Sequence, residues 1–104
     1  MVKLVNLNNL NLSNNLIGNK DLNIYNFTNL ISINFENNKI STIISDLKKL
    51  TNLEYINFLR NKLNFVPIQL IYLTKLKFVD LSQNYFKSVF MSNTMNHIYI
   101  TRYK

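Results

Sequence analysis

The side chains able to do acid–base, nucleophilic or metal chemistry in this sequence are few and poorly spaced for it. There is one histidine, His97, no cysteine, and five carboxylates, Asp21, Glu36, Asp46, Glu54 and Asp80. A Ser-His-acid or Cys-His relay would have to pass through His97, and the bland reading, a partly exposed surface histidine, fits its place near the carboxyl end. Cysteine-based zinc sites are excluded. No spaced set of metal ligands occurs, and the lone glycine, Gly18, cannot build a phosphate-cradling loop. The expectation is a chain that is not an enzyme and that carries no cofactor or metal.

What, then, are the other residues arranged to do? At 104 residues the chain suffices for one domain. Apolar residues make up 47% and aromatics 12%, enough to build a core rather than a disordered coil. Asparagine fills roughly a fifth of the positions, beside abundant Ile, Lys, Leu and Tyr. An AT-rich coding genome produces such a mixture, so single asparagines are not read as functional signals. Two sequons, starting at Asn11 and Asn26, are chance matches on the same ground. The opening "MVKLVNLNNLNLSNN" breaks its apolar run too often for a signal-peptide core, and no stretch approaches the length of a membrane span. These features, with the lack of cysteine, lead to the expectation of an intracellular, cytoplasmic setting.

One pattern does stand out. The stretches "LNNLNLSNNLI" (7–17), "LISINFENNKI" (30–40), "LEYINFLRNKL" (53–63) and "LKFVDLSQNYF" (76–86) recur at one constant interval, with no gap between units. Their first place holds Leu7, Leu30, Leu53 and Leu76, and their fourth Leu10, Ile33, Ile56 and Val79. Leu12, Phe35, Phe58 and Leu81 share the sixth, and Ile17, Ile40, Leu63 and Phe86 the eleventh. The ninth is asparagine throughout: Asn15, Asn38, Asn61 and Asn84. Alternating side chains of an extended segment face opposite ways. The fourth and sixth places therefore point inward together while the third, fifth and seventh point out. A single coil cannot bury its apolar face, so the units must stack. A side-chain amide both donates and accepts. A column of asparagines in one phase can therefore satisfy turn backbone groups that would each cost about 1–3 kcal/mol unpaired.

The pattern L-x-x-L-x-L-x-x-N-x-L resembles the leucine-rich-repeat family. The return segment "NKLNFVPIQLIYLTKL" (61–76) is similar to the linkers of 23-residue intracellular repeats of the Ras-binding group, and "NKISTIISDLKKLTNL" (38–53) follows it with Ile44 in place of proline. The resemblance covers about residues 4–90. It implies an α/β solenoid, a right-handed horseshoe arc with short parallel strands on the concave face and short helical or 3₁₀ segments on the convex face. Ile43, Leu47 and Leu50 match Val66, Leu70 and Leu73 as a second apolar stripe, with Pro67 at the first turn of its segment.

The expected organisation is a single domain over 1–104, with a partial coil at 1–6 and units at 7–29, 30–52, 53–75 and 76–98. A degenerate carboxyl-terminal coil spans 95–104. The outer units fit less well. Lys20 and Asp21 replace apolar residues in the first, where Leu22, Ile24 and Phe27 recover the core. In the last, Phe90, Met91 and Met95 fill the gap left by Asn93 and Asn96. "HIYIT" (97–101) alternates like a final strand with Ile98 and Ile100 inward.

Function in a stacked-repeat protein rests on the outward strand positions. Tyr55, Leu59, Arg60 and Phe78 form an exposed patch there, of the residue types that concentrate interface energy. Asn34, Asn57, Asp80 and Glu36 surround it. Glu36 and Asp80 lie two coils apart, near 10 Å at a strand spacing of about 4.8 Å, and read as surface rather than paired acids. The alternative for the pair Tyr55 and Phe78 is that they simply cover each other across two strands. The expectation is a scaffold-like module that binds an unidentified protein or peptide. A net charge of +7 raises a second reading, nucleic acid or another anionic partner. The lysines are not gathered on the strand face, so that reading is the weaker one. A third is a repeat remnant with no specific partner.

Overall fold

The computed structural model describes residues 6–18, 24–42, 45–65, 68–86 and 99–101, the last by backbone alone. Expectations placed on Lys20, Asp21, Leu22, Ile43, Ile44, Val66, Pro67, Phe90, Met91, Asn93, Met95, Asn96, His97 and Ile98 lie outside these residues. Five short strands form one parallel sheet in chain order: β1 (Asn9–Asn11), β2 (Ser32–Asn34), β3 (Tyr55–Asn57), β4 (Phe78–Asp80) and β5 (Tyr99–Thr101). The register follows the repeat. Leu10 faces Ile33, Ile33 faces Ile56, and Ile56 faces Val79, each pair one full repeat apart. The last interval is shorter. Val79 pairs with Ile100, which β5 brings into register before a whole repeat has passed.

Parallel neighbours require a crossover between them, and here each crossover is compact. Ser45–Lys49 and Ile68–Tyr72 are 3₁₀ segments, the helical part of the coil being this tight form. Leu47 and Leu50, like Leu70 and Leu73, stand three apart. In each pair the second N–H donates to the carbonyl of the first, at 3.0 and 3.1 Å. That spacing suits three residues per turn. The first coil keeps the same geometry without a regular helix, since the Phe27 N–H donates to the Ile24 carbonyl and the Leu30 N–H to that of Phe27.

The two stripes meet in one core. Leu30, Ile33, Phe35, Ile40, Leu47, Leu50, Leu53, Ile56, Phe58, Leu63, Leu70, Leu73, Leu76, Val79 and Leu81 are all buried. At its centre the sixth-place rings of Phe35 and Phe58 stack with centroids 5.2 Å apart and planes 12° from parallel, an offset arrangement that adds to their area burial. The first coil is a face with a neighbour on only one described side. Its Leu7, Leu10, Leu12 and Ile17 are half-buried where their counterparts in inner coils are closed off.

Stacking predicts a gradient of stability along the array. Leu53→Ala should cost about 2–5 kcal/mol and Phe58→Ala about 3–5 kcal/mol. Leu7→Ala, at the same place as Leu53 but half-exposed, should cost less than half as much as Leu53→Ala in urea unfolding.

Candidate functional site

The concave surface is built on the turn that follows each strand, and that turn is where the repeat is most tightly determined. At its eighth place Asn14, Asn37, Arg60 and Gln83 have φ of 60°, 57°, 58° and 55°, the left-handed region. Asparagine enters this region readily; arginine and glutamine do so at a cost of about 1–2 kcal/mol. Nothing in the alternation of apolar residues signals this column. The excess of Asn at the eighth and ninth places is the only hint.

The ninth-place asparagines hold the turn from inside. Asn61 is 4% exposed and donates through Nδ2 to the carbonyls of Phe58 in its own coil at 3.1 Å and Phe35 in the preceding coil at 2.9 Å. Its Oδ1 accepts the Ile40 N–H at 3.1 Å. Asn38 repeats this with Phe35, Leu12 and the Ile17 N–H, and Asn84 with Leu81, Phe58 and the Leu63 N–H. Each amide thus staples a coil to the one before it. Asn15 is exposed and, among the described residues, bonds within its own turn, to the carbonyls of Leu12 and Ser13.

The fifth place holds the turn from outside. Oδ1 of Asn11, Asn34, Asn57 and Asp80 accepts the N–H two residues on, from Ser13, Glu36, Leu59 and Ser82, at 2.8–2.9 Å. These are local side-chain turns that substitute for backbone pairing where the strand ends. Asn34, Asn57 and Asp80 therefore each have one side-chain oxygen engaged in the fold. Glu36 is half-buried, and its Oε1 accepts from Asn57 Nδ2 at 3.4 Å.

The remaining site residues lie together. Tyr55 and Phe78 are register partners on β3 and β4; Tyr55 is 46% exposed and Phe78 half-buried. Leu59 is half-buried and Arg60 exposed, on the turn after β3. The Arg60 Nε donates to Gln83 Oε1 at 2.9 Å, which orients the guanidinium along the row of turns.

The rim at which the strands begin has different chemistry. Asn8, Asn29, Ile31, Asn52, Glu54 and Lys75 line an open depression of about 270 Å³. Its polar groups bond one another: Lys75 Nζ donates to Asn52 Oδ1 at 2.8 Å, and Asn52 Nδ2 to the Thr28 carbonyl at 3.0 Å. Beside it Lys77 Nζ pairs with Glu54 Oε1 at 2.8 Å. The hydrogen bond from Glu54, then its charge, raises the Lys77 ammonium above its ordinary value. Whatever this exposed pair adds to the folded state is present below the ammonium's ordinary range and lost as the pH rises through the raised value. On the convex side Lys48 Nζ sits 5.6 Å from the centre of the Tyr72 ring. Among the described residues no three His, Cys, Asp or Glu are grouped to hold a metal ion, and no helix is long and apolar enough to cross a membrane.

No family model and no curated protein match the sequence. Solved structures do match. An internalin, inlF, from Listeria monocytogenes strain 4b F2365 superposes with a TM-score of 0.61 at 21% identity, covering 95% of this chain and 35% of that one. The functional domain of InlJ from Listeria monocytogenes, which includes a cysteine ladder, does so with a TM-score of 0.60 at 19% identity, covering 95% of this chain and 25% of that one. Internalins are leucine-rich-repeat proteins, and the present chain has that fold: a solenoid of short parallel strands and 3₁₀ turns. It spans about a third and a quarter of the lengths of these two proteins. InlJ includes a cysteine ladder; this chain has no cysteine.

The buried amides predict a sharp contrast between equivalent positions. Asn61→Ala takes the acceptor from the buried Ile40 N–H, at about 1–3 kcal/mol, and breaks the side-chain link between two coils, while the Phe35 and Phe58 carbonyls keep the amides of Asn38 and Asn84. Its unfolding midpoint in urea should therefore fall well below that of Asn15→Ala, which should stay close to the parent chain.

Proposed function

We propose that this chain is a non-catalytic protein–protein interaction module that takes a protein or peptide partner on its concave strand face. Its solenoid fold serves protein association in general, and the length of its repeat supports a place among the intracellular, Ras-group-like type of leucine-rich repeat. An intracellular setting is part of this reading. A tagged chain expressed in its native host is expected to fractionate with the cytoplasm, and recovery from the medium would count against that setting.

One observation carries the choice of face: Tyr55 stands 46% exposed next to half-buried Phe78 and Leu59, with Arg60 at the patch's edge. Tyrosine and arginine beside apolar neighbours are the residue types on which interface energy concentrates. Arg60 adds a second argument, since it keeps a left-handed backbone that asparagine would occupy at lower cost. Strain retained at a surface residue is a motive for a functional role. The polar columns around the patch, Asn34, Asn57, Asp80 and Glu36, form the rim of the reading.

Size constrains that partner. Five strands at about 4.8 Å give a face some 20 Å long, on a molecule measuring 44 × 29 × 19 Å. A standard interface takes about 800 Å² from each partner. An extended peptide, or a partner that also wraps an edge, suits this surface best.

Capture of the partner from the native host with the parent chain, followed by Tyr55→Ser/Phe78→Ser, tests the assignment. The double variant should fold normally and lose at least tenfold in affinity, as hot-spot residues do. Arg60→Asn should separate the two properties, binding the partner less well while matching or exceeding the parent in unfolding midpoint. Undiminished recovery by both variants would move the function off this face.

A further inference from the structure

A second surface is assembled at the corner where each coil leaves its strand. The large apolar side chains exposed among the described residues are Leu16, Tyr55, Phe65, Tyr72 and Tyr85. Three of them fall in the tenth to thirteenth places: Leu16 at 78%, Phe65 at 79% and Tyr85 at 59% exposure. The tenth-place row reads Leu16, Lys39, Lys62, Tyr85 across four successive coils, with both lysines exposed. Backbone bonds hold it in line, from the N–H groups of Lys39, Lys62 and Tyr85 to the carbonyls of Ile17, Ile40 and Leu63, at 2.8, 2.8 and 2.9 Å. The residue after each row member faces the core, so the row itself must face out. Phe65 follows Lys62 by three residues in the same coil.

Among the described residues the charge of this corner is of one sign. From the eighth to the thirteenth place no unit carries a carboxylate, while Lys39, Arg60 and Lys62 supply cations. The rim at the other end of the strands is mixed, with Glu54 neutralising Lys77. The basic residues that look scattered in sequence are thus partly sorted by the fold, and the ones left facing solvent here lie between protruding apolar tips.

We propose that this corner docks the chain reversibly on an anionic phospholipid surface. Lys39 and Lys62 meet the negatively charged headgroups, and Leu16, Phe65 and Tyr85 reach the boundary between headgroups and acyl chains. Lysine suits such a place because its aliphatic stem lies along apolar surface while the ammonium stays in the headgroup layer. Tyrosine is at home at the same level, with an apolar ring and a polar tip. A nucleic-acid strand fits less well: stacking needs aromatic faces along the cation track, and Leu16 at one end of the row offers none. An acidic protein would be met by the same lysines. Yet the coil of Lys39 separates Leu16 from the coils of Phe65 and Tyr85, whereas the anchors of a protein interface cluster in one water-excluding patch. The surface meets the Tyr55–Phe78 patch at Arg60, and its lipid contacts are made by other residues.

Vesicle sedimentation tests it with the 104-residue chain. The chain should sediment with vesicles of phosphatidylcholine mixed with phosphatidylserine and stay in solution with phosphatidylcholine alone. Each cation near an anionic surface is worth about fivefold in partitioning, so Lys39→Gln/Lys62→Gln should lower binding by about 25-fold. Leu16→Ser/Phe65→Ser should also lower it, with charge unchanged. Both variants should keep the parent's unfolding midpoint and its recovery of the concave-face partner. The proposal falls if phosphatidylserine vesicles do not retain the chain, or if Leu16→Ser/Phe65→Ser binds them as the parent does. It falls equally if a single-stranded oligonucleotide or polyglutamate binds in solution with the same dependence on Leu16 and Phe65.

Discussion

The structure depends on one repeated interaction, a buried asparagine amide placed between two coils. A strand of three residues is too short to hold its neighbour by backbone bonds alone, and the chain must turn sharply after it. The turn points carbonyls and an N–H into a space closed to water, where each would be expensive unpaired. Asparagine is suited to this place because one side chain offers two donors and an acceptor in a plane. Asn38, Asn61 and Asn84 each spend the donors on carbonyls of two successive coils and the acceptor on an N–H of the earlier one. Glutamine would reach too far, and aspartate would have no donor and a charge to bury.

The rest of the coil follows from that anchor. With the turns pinned one above another, the first, fourth, sixth and eleventh places fall into columns, and Phe35 can stack flat on Phe58. The return path is short, so it closes through 3₁₀ turns whose leucines stand three apart. The outer face of the same turn is tied by the fifth-place oxygens. Inside and outside, the turn is specified by side chains and not by glycine, which this chain almost lacks. Its backbone reaches positive φ on Asn, Arg and Gln instead, because the neighbouring coil leaves no other path.

A rigid, evenly spaced turn also sets what the surface can present. The third-place column places Tyr55 beside Phe78, and the seventh and eighth places bring Leu59 and Arg60 to them. The tenth-place row aligns Leu16, Lys39, Lys62 and Tyr85. In both cases side chains one repeat apart in sequence become neighbours, so a surface in a stacked-coil protein is written in columns and has to be read down them. The first coil shows the same logic in reverse. Its Asn15 has a donor set bonded within its own turn, and its leucines are half-covered.

Much of this was legible in the amino-acid sequence, because a stacked core needs apolar residues in a constant phase and tolerates few exceptions. Leu30, Ile33, Phe35 and Ile40 announce their own burial and that of their counterparts. The short parallel strands, a helical or 3₁₀ return with Leu47, Leu50, Leu70 and Leu73, and the outward position of Tyr55 come from the same periodicity, whereas the choice of the 3₁₀ form came with the fold. Other features depended on the tertiary structure. The positive φ at Arg60 and Gln83, the fifth-place bonds that occupy Asn34, Asn57 and Asp80, and the shortened step to β5 leave no mark in an alternation of polar and apolar residues. Lys39 and Lys62 could be seen to stack, but not to share an acid-free corner with Leu16, Phe65 and Tyr85. The physical reason is the same throughout. Burial is a property a residue carries in its own side chain and period, whereas a hydrogen bond or a charged corner is a relation between coils. That relation exists only once the chain has closed on itself.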